Sequence, residues 1–439
     1  MGWAMKRYRN LSLFSGGLGF DIGLESSGRF DTIATIEANH ACCETIRANH
    51  SAGRIGTPEM KIYEDDIRLI DPKKVMRELG LKQGELDLLT AGPPCQSFST
   101  TGRRRTVEDP RGTLLWRTLD YIEVFTPKAF IIENVRGLLS AALKHRPISQ
   151  RPDKGGKRLS PEEEPGSVIR SFLADVRERL GAKYRVDVFE VNAVNYGAAQ
   201  LRERAVIIGN RLGALVDFPQ PTHGPSALPY ATLGDALATV GKESNPVIMD
   251  FSPRKKKYLA MIPPGGNWRC LPERLQRESM GRAFAAKGGR SGWWRRLSAD
   301  LPCPTIVTMP NHASTALTHP TEVRALTVRE CAAVQGFPKD WEFVGSPQEQ
   351  YTQVGNAVPV VLGKVAGEAL ANCLDGHVEG VKKSTKLVPY RLVYLKSHVR
   401  TRQWYKAGKK VVWRDGADNE AAKYGEALTV KREREFLHA

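Results

Sequence analysis

Six short apolar runs punctuate the first half of the chain: Leu11–Phe14, Thr32–Glu37, Leu86–Ala91, Ala129–Val135, Arg185–Val191 and Ala205–Gly209. They are rich in Ile, Val, Leu and Phe and hardly alternate with polar residues. That is the pattern of strands covered on both faces. Between them lie segments with helical spacing. The clearest is Ser167–Leu180, where Val168, Ile169, Phe172, Leu173, Val176 and Leu180 share one stripe. Strands alternating with helices predict an α/β fold with a mostly parallel sheet and helices on both sides.

Three stretches break this rhythm. Residues 140–166 hold Lys, Arg, Pro, Gly and a Glu triplet with almost no apolar spacing, which predicts a mobile surface insertion. From about Leu212 to Pro320 the chain becomes rich in Pro, Gly, Arg and Trp, as in a second, irregular domain. Residues 381–439 form a basic tail with strand-like pieces at Tyr390–Tyr394 and Val411–Trp413. Charge follows the same division. The 439 residues carry 65 Lys and Arg against 48 Asp and Glu, a net +17 that points to a polyanion, nucleic acid first. The excess is local: residues 251–300 hold 12 basic and 3 acidic residues, and the tail holds 15 and 6. No run of about 18 uncharged apolar residues occurs, and the first ten residues lack an apolar stretch. A soluble, cytoplasmic setting without membrane contact is therefore expected. Seven Cys without a CxxC pair argue against a disulfide framework or a structural zinc, and no metal is expected.

Four motifs carry chemistry. In Leu11-Ser-Leu-Phe-Ser-Gly-Gly-Leu-Gly-Phe20 a strand runs into a glycine-rich turn and then a helix, so backbone N–H groups can approach a ligand closely. Glu37 ends the next strand, placed for ribose hydroxyls. Together they describe an adenosine-containing cofactor. Gly17 and Gly19 are followed by Gly23, one position late for the dinucleotide fingerprint, so a nicotinamide enzyme is the weaker reading. Asp65-Asp66-Ile67 can reach an adenine amino group. In Ala91-Gly-Pro-Pro-Cys-Gln-Ser-Phe-Ser99 two prolines fix a thiol at a strand end, where a nucleophile would sit. In Phe130-Ile-Ile-Glu-Asn-Val135 an apolar strand ends in a carboxylate that is costly to bury unless paired or used. Arg202 and Arg204 of Gln200-Leu-Arg-Glu-Arg204 alternate onto one face, where they can hold a carboxylate, carbonyl or phosphate.

In this set the chain resembles the DNA (cytosine-5)-methyltransferase family of prokaryotic type. The ordered motifs are Phe14-Ser-Gly, Gly-Pro-Pro-Cys95-Gln, Glu133-Asn-Val, Gln200-x-Arg-x-Arg204, Leu326-Thr-Val-Arg-Glu330 with Gln335-Gly-Phe-Pro338, and Gln353-Val-Gly-Asn356. They run from residue 11 to about 360; the resemblance is weak between 212 and 320 and stops before the tail. It implies a Rossmann-like, S-adenosylmethionine-dependent large domain with a mixed, mostly parallel sheet, plus a smaller irregular target-recognition domain. The expected division is 1–211 completed by about 345–378, then 212–344, then a basic extension 379–439 of open role.

The resemblance also implies roles. Cys95 would attack C6 of a flipped-out cytosine, Glu133 would contact N3 and the exocyclic amine, Arg204 would hold the C2 carbonyl and Glu133, and Arg202 would support them. Phe14, Gly16, Gly17, Gly19, Glu37, Ala38, Asp66, Ile67, Pro94, Leu114 and Asn356 would surround S-adenosylmethionine. Ala38 stands where relatives often place an aromatic residue against adenine. Asp109-x-Arg111-Gly-Thr-Leu114 follows the family pattern. Gln96 and Ser99 would fill the gap in the DNA, with Arg103, Arg104 and Arg105 on phosphates. In the recognition domain, Arg254, Lys255, Arg269, Arg295, Arg296 and Thr308 are candidates for double-stranded DNA, while Trp293 and Trp294 suit that domain's own core better than base contact. A monomer is implied, with any cognate restriction endonuclease acting separately. A methyltransferase of RNA cytosines, a non-catalytic regulator and a dehydrogenase are the competing readings. The long basic insertion, the presence of both Cys95 and Glu133, and the glycine spacing disfavour them in turn.

Overall fold

The structure is a computed structural model; it describes residues 6–94, 114–224, 227–241, 243–285 and 292–376, with four strand segments of the tail. Among the described residues, β1 (Tyr8–Leu13), β2 (Phe30–Glu37), β3 (Lys61–Glu64), β4 (Leu88–Ala91) and β5 (Ala129–Val135) run parallel, in the spatial order β3-β2-β1-β4-β5. Then β7 (Glu203–Asn210) pairs antiparallel with both β5 and β6 (Arg185–Asn192). All six predicted strands are present, within a few residues of their expected ends. Strand order reverses between β1 and β4, and ligands of such sheets bind at the carboxyl ends flanking that point. The sheet is mixed, mostly parallel, and doubly covered, as the uninterrupted apolar runs require.

One face is covered by α3 (Pro72–Glu78), α4 (Leu114–Phe125) and α5 (Ser167–Leu180), around Leu11, Ile36, Phe130, Phe172 and Ile207. The other is covered by α1 (Gly19–Ser26) and α11 (Val360–Leu374), around Phe30, Leu88, Ile131 and Leu370. The late helix α11 reaches α1 only because both present glycine. A Cβ on Gly23 would lie 2.0 Å from the Val360 carbonyl oxygen, and one on Gly363 would lie 2.1 Å from that of Phe20. The two backbones touch, so a side chain must force them apart. Gly23→Ala is therefore expected to cost about 3 kcal/mol or more, at the upper end of overpacking effects. An unchanged urea midpoint would show that the helices can separate freely.

The run Pro347–Leu374 is long and apolar enough to cross a membrane by composition alone, but most of it is buried against the protein interior. It comprises α10 (Pro347–Asn356) and α11. Ahead of it, the described residues between Leu212 and Pro320 carry only the short helices α6 (Leu233–Ala238), α7 (Pro253–Leu259) and α8 (Glu273–Met280) and single-turn pieces. Phe251, Tyr258, Ile262, Trp268, Met280 and Trp294 make it a core of its own, with Trp293 half-buried against them. With few strands or helices to pair its backbone, this segment satisfies carbonyls with side chains. Arg296 donates to the carbonyls of Pro320, Ile262 and Thr321.

The Leu326–Pro338 motif joins the parts. Thr327 and Glu330 form a capping box at α9 (Val328–Gln335), and Arg324 grips Glu330 through both guanidinium nitrogens. Gln335 ties α9 to its neighbours: Nε2 donates to the carbonyls of Val354 and Ala357, while Oε1 accepts from Gln200 Nε2. Residues 140–166 lie on the surface, tied by Arg146 to the Glu163 carboxylate and to the Lys157 carbonyl. In the tail, β8 (Arg391–Leu395) adds to β6 in parallel and β11 (Arg432–Glu435) pairs antiparallel with β8. A separate antiparallel pair joins β9 (Gln403–Lys406) and β10 (Lys409–Val412).

Candidate active site

A cavity of about 1170 Å³ opens at the carboxyl ends of β1, β2, β4 and β5. Its first wall is the turn after β1. Phe14, Gly16 and Leu18 all take positive φ (56°, 52° and 63°), which bends the chain sharply before α1. The turn is held by Phe14 N, which donates to the Ile36 carbonyl at 2.9 Å. Glu37 faces it: one carboxylate oxygen accepts from Gly16 N and the other from Asn39 N, both at 2.8 Å. The carboxylate is thus fixed in orientation while it still lines the cavity. Gly19 has a different duty. A Cβ there would lie 2.3 Å from the Val358 carbonyl, so this glycine admits the returning chain rather than a ligand.

Ala38, Asp66, Ile67, Pro94, Leu114 and Asn356 line the same cavity as Phe14, Gly16, Gly17, Gly19 and Glu37. The structure therefore brings together every residue expected around the cofactor. Asp66 is engaged by Arg68, which holds its carboxyl below the usual range, at about 2. Arg117 of α4 fixes the neighbouring loop by donating to the carbonyls of Ile67 at 3.0 Å and Ile70 at 2.8 Å.

The opposite wall holds the Glu133 carboxylate and the Arg204 guanidinium, with Oε1 2.6 Å from Nε. Both are largely buried. Burial pushes the Glu133 carboxyl up, opposed by the charges of Arg204 and Arg202. Asn134, next in the chain, donates from Nδ2 to the Pro93 carbonyl at 3.1 Å, clamping the approach to residue 95. Cys95, Gln96, Ser99, Arg103, Arg104 and Arg105 lie outside the described residues; Pro94 and Leu114, on either side of that stretch, both line the cavity.

Two of the candidate arginines are engaged by backbone carbonyls. Arg202 shares the cavity wall with Arg204, but it is only 2% exposed and its guanidinium donates to the carbonyls of Ile306 at 3.0 Å and Gly355 at 2.9 Å. It staples the small segment and α10 to the sheet, and its charge acts on Glu133. Arg296 donates to three carbonyls, as described above. Lys255 and Arg295 also make backbone contacts, to the carbonyls of Asn311 and Ala316. Arg254 and Arg269 are exposed, with the Arg269 guanidinium 4.5 Å from the Trp268 ring centre. Thr308 lines the cavity, in the stretch Thr305–Thr308 that borders it from the small segment.

The sequence reading overlooked a buried polar cluster on the floor: Asn10 and Ser12 of β1, Thr90 of β4 and Asp21 of α1. A carboxylate between Phe20 and Ile22 on an apolar helix was the available signal. The group His40, Glu44 and Glu64 has metal-like spacing, but Arg47 bridges both of its carboxylates.

A doubly wound sheet with this cleft at its switch point, one wall carrying a glycine turn and Glu37 and the other a buried acid–guanidinium pair, fits the Rossmann-like methyltransferase class. The family model for C-5 cytosine-specific DNA methylases matches residues 8–150 and 162–372. The chain belongs to this family and is a DNA (cytosine-5)-methyltransferase. Among its relatives, Type II methyltransferase M.Sau96I of Staphylococcus aureus is 35% identical over 372 residues, 84% of this chain and 77% of that protein. Type II methyltransferase M.Eco47II of Escherichia coli is 34% identical over 374 residues, 84% and 80% of the two chains. The solved structure of Entamoeba histolytica methyltransferase EhMeth shares the fold, with a TM-score of 0.52 at 13% identity over 84% of this chain and 99% of that one.

Proposed function

We propose that this enzyme moves a methyl group from S-adenosylmethionine to C5 of a cytosine flipped out of a specific double-stranded DNA sequence. The observation that carries the reading is the Glu133–Arg204 pair, set in the wall opposite Glu37 in one cavity. The cofactor fits the chemistry of its wall. Glu37 offers carboxylate oxygens to ribose hydroxyls, Asp66 and Ile67 stand where an adenine amino group would be read, and the glycine turn leaves room for the methionine end. When bound, S-adenosylmethionine supplies an electrophilic methyl group.

The chain's own residues do the rest. The Cys95 thiolate adds to C6, forming a C–S bond, while Glu133 donates its proton to N3 and Arg204 steadies both the acid and the C2 carbonyl. The ring electrons released at C5 take the methyl group. Loss of the C5 proton to a base then expels Cys95 and restores the aromatic ring. A buried Glu133, with its carboxyl raised by burial, is suited to carry that proton. The base must leave the duplex for any of this to occur.

Residues 1–211 with about 345–378 are assigned to catalysis and cofactor binding, and 212–344 to target recognition, where Arg254 and Arg269 keep exposed cationic heads. The basic extension 379–439 joins the edge of the sheet. The names of the relatives favour a Type II restriction–modification setting, with a separate endonuclease as partner. Bisulfite sequencing of plasmid DNA from cells expressing the chain is the direct test. Protected cytosines are expected at one recurring sequence, and none in cells carrying Cys95→Ser. Full conversion of every cytosine in the wild-type sample would overturn the reading.

A further inference from the structure

Asp21 is the third residue of α1, directly after the glycine turn, and is 2% exposed. Its carboxylate accepts hydrogen bonds from Asn10 Nδ2 and Ser12 Oγ, both at 3.0 Å, and from Thr90 Oγ1 at 3.4 Å. All three donors are neutral. Among the described residues it makes no ion pair, and the nearest other charge acting on it is Glu25, one turn along α1, which is also acidic. The β1 and β4 neighbours bring no titratable group. A buried carboxylate without a cation is costly, and an asparagine would fill the same space at less expense. Yet Ser12, Asp21 and Thr90 all line the cavity, on the wall formed by the glycine turn. Asn10 and Ser12 orient the carboxylate, the Thr90 hydroxyl is shared between it and Asn10 Oδ1, and the residue borders the ligand space.

We propose that Asp21 is the fixed countercharge for the cationic end of the cofactor, so that the site favours the sulfonium form over the product that has lost it. The inference rests on the S-adenosylmethionine reading above and adds to it a residue and a selectivity. S-adenosylmethionine and S-adenosylhomocysteine share the amino acid end and the adenosine. They differ by one methyl group and one positive charge on sulfur. An uncompensated carboxylate in a low-dielectric wall attracts the charged form more strongly. The rest of this wall, Glu37 and Asp66, is acidic too; the Glu133–Arg204 pair stands opposite. Methyl transfer removes the charge, which weakens the hold on the product at the moment it must leave.

Burial also pushes the Asp21 carboxyl up to about 7. It is charged above that pH and neutral below it, so a cationic ligand loses affinity as pH falls from 7.5 to 6, while the product is less affected. Isothermal titration of the full chain with each compound reads this directly. For the wild type, the preference for S-adenosylmethionine, expressed as the ratio of the two Kd values, is expected to fall over that pH range. Asp21→Asn is expected to lower the ratio at pH 7.5 by roughly tenfold, the scale of one partly shielded charge pair, and to flatten its pH dependence. A merely structural Asp21 would weaken both ligands equally and leave the ratio unchanged, which overturns the inference. Circular dichroism reports whether Asp21→Asn folds; if it does not, the wild-type pH series decides alone, and a flat ratio refutes the countercharge. Failure of the wild type to bind either compound would instead overturn the cofactor reading itself, and this inference with it.

Discussion

Cys95→Ser is expected to abolish the covalent complex with DNA containing 5-fluorocytosine and to lower turnover by roughly 10⁴-fold or more, the scale on which enzymes lose rate when the nucleophile of a cooperating set is removed. The fluorine cannot leave as the C5 proton does, so the wild-type adduct persists through denaturing electrophoresis. A serine hydroxyl stays protonated near neutral pH and cannot replace a thiolate. Glu133→Gln tests the partner. It keeps the shape of the side chain but removes the transferable proton, and a loss of about 10²–10⁴-fold in kcat follows if general acid catalysis is its role. The pH profile separates this from a structural effect. Burial raises the Glu133 carboxyl, and the acid form is the active one. The wild-type rate therefore falls as pH rises through that raised value, and the alkaline limb should vanish in the variant. An equal adduct with Cys95→Ser, or an unchanged limb with Glu133→Gln, would remove these residues from the mechanism.

The second large effect concerns stability. Arg202→Met removes two hydrogen bonds from a charged donor and leaves the carbonyls of Ile306 and Gly355 without it in the interior. Each such bond is worth about 1.5–3 kcal/mol, so a loss of about 3–5 kcal/mol is expected in urea unfolding. The alternative, that Arg202 contacts substrate, predicts the reverse: near-normal stability with a collapse in kcat. Arg202→Lys should fall between wild type and Met in stability, because one ammonium cannot reproduce the fork that reaches both carbonyls.

These two predictions mark where the sequence was readable. The paired motifs around Glu37 and Glu133 could be placed because each sits at the end of an apolar strand, and parallel strands bring their carboxyl ends to one edge. The helix Ser167–Leu180 matched its expected span to the residue, since six apolar positions on one stripe leave no other way to bury them. Arg202 and Arg204 could not be told apart. One residue separates them, and alternation sends both to one face; only the packing of Ile306 and Gly355 beside the first gave it carbonyls to hold. The carbonyls that Arg296 holds were hidden for the same reason. A basic residue in a strand-poor segment looks free for DNA until the turns that need its donors are known.

The sequence by itself determined the doubly wound sheet, the order of its strands along the chain and the set of residues that meet in the cavity, because hydrophobic periodicity and motif position are local properties. Tertiary structure alone decided three further matters. It brought α11 onto α1 through facing glycines, assigned the buried arginines to carbonyls from other segments, and left the Asp21 carboxyl in the cavity wall with no cation beside it among the described residues. Each depends on which backbone lies opposite a given side chain, and pairing across more than a hundred residues is fixed by close packing rather than by any neighbour in the chain.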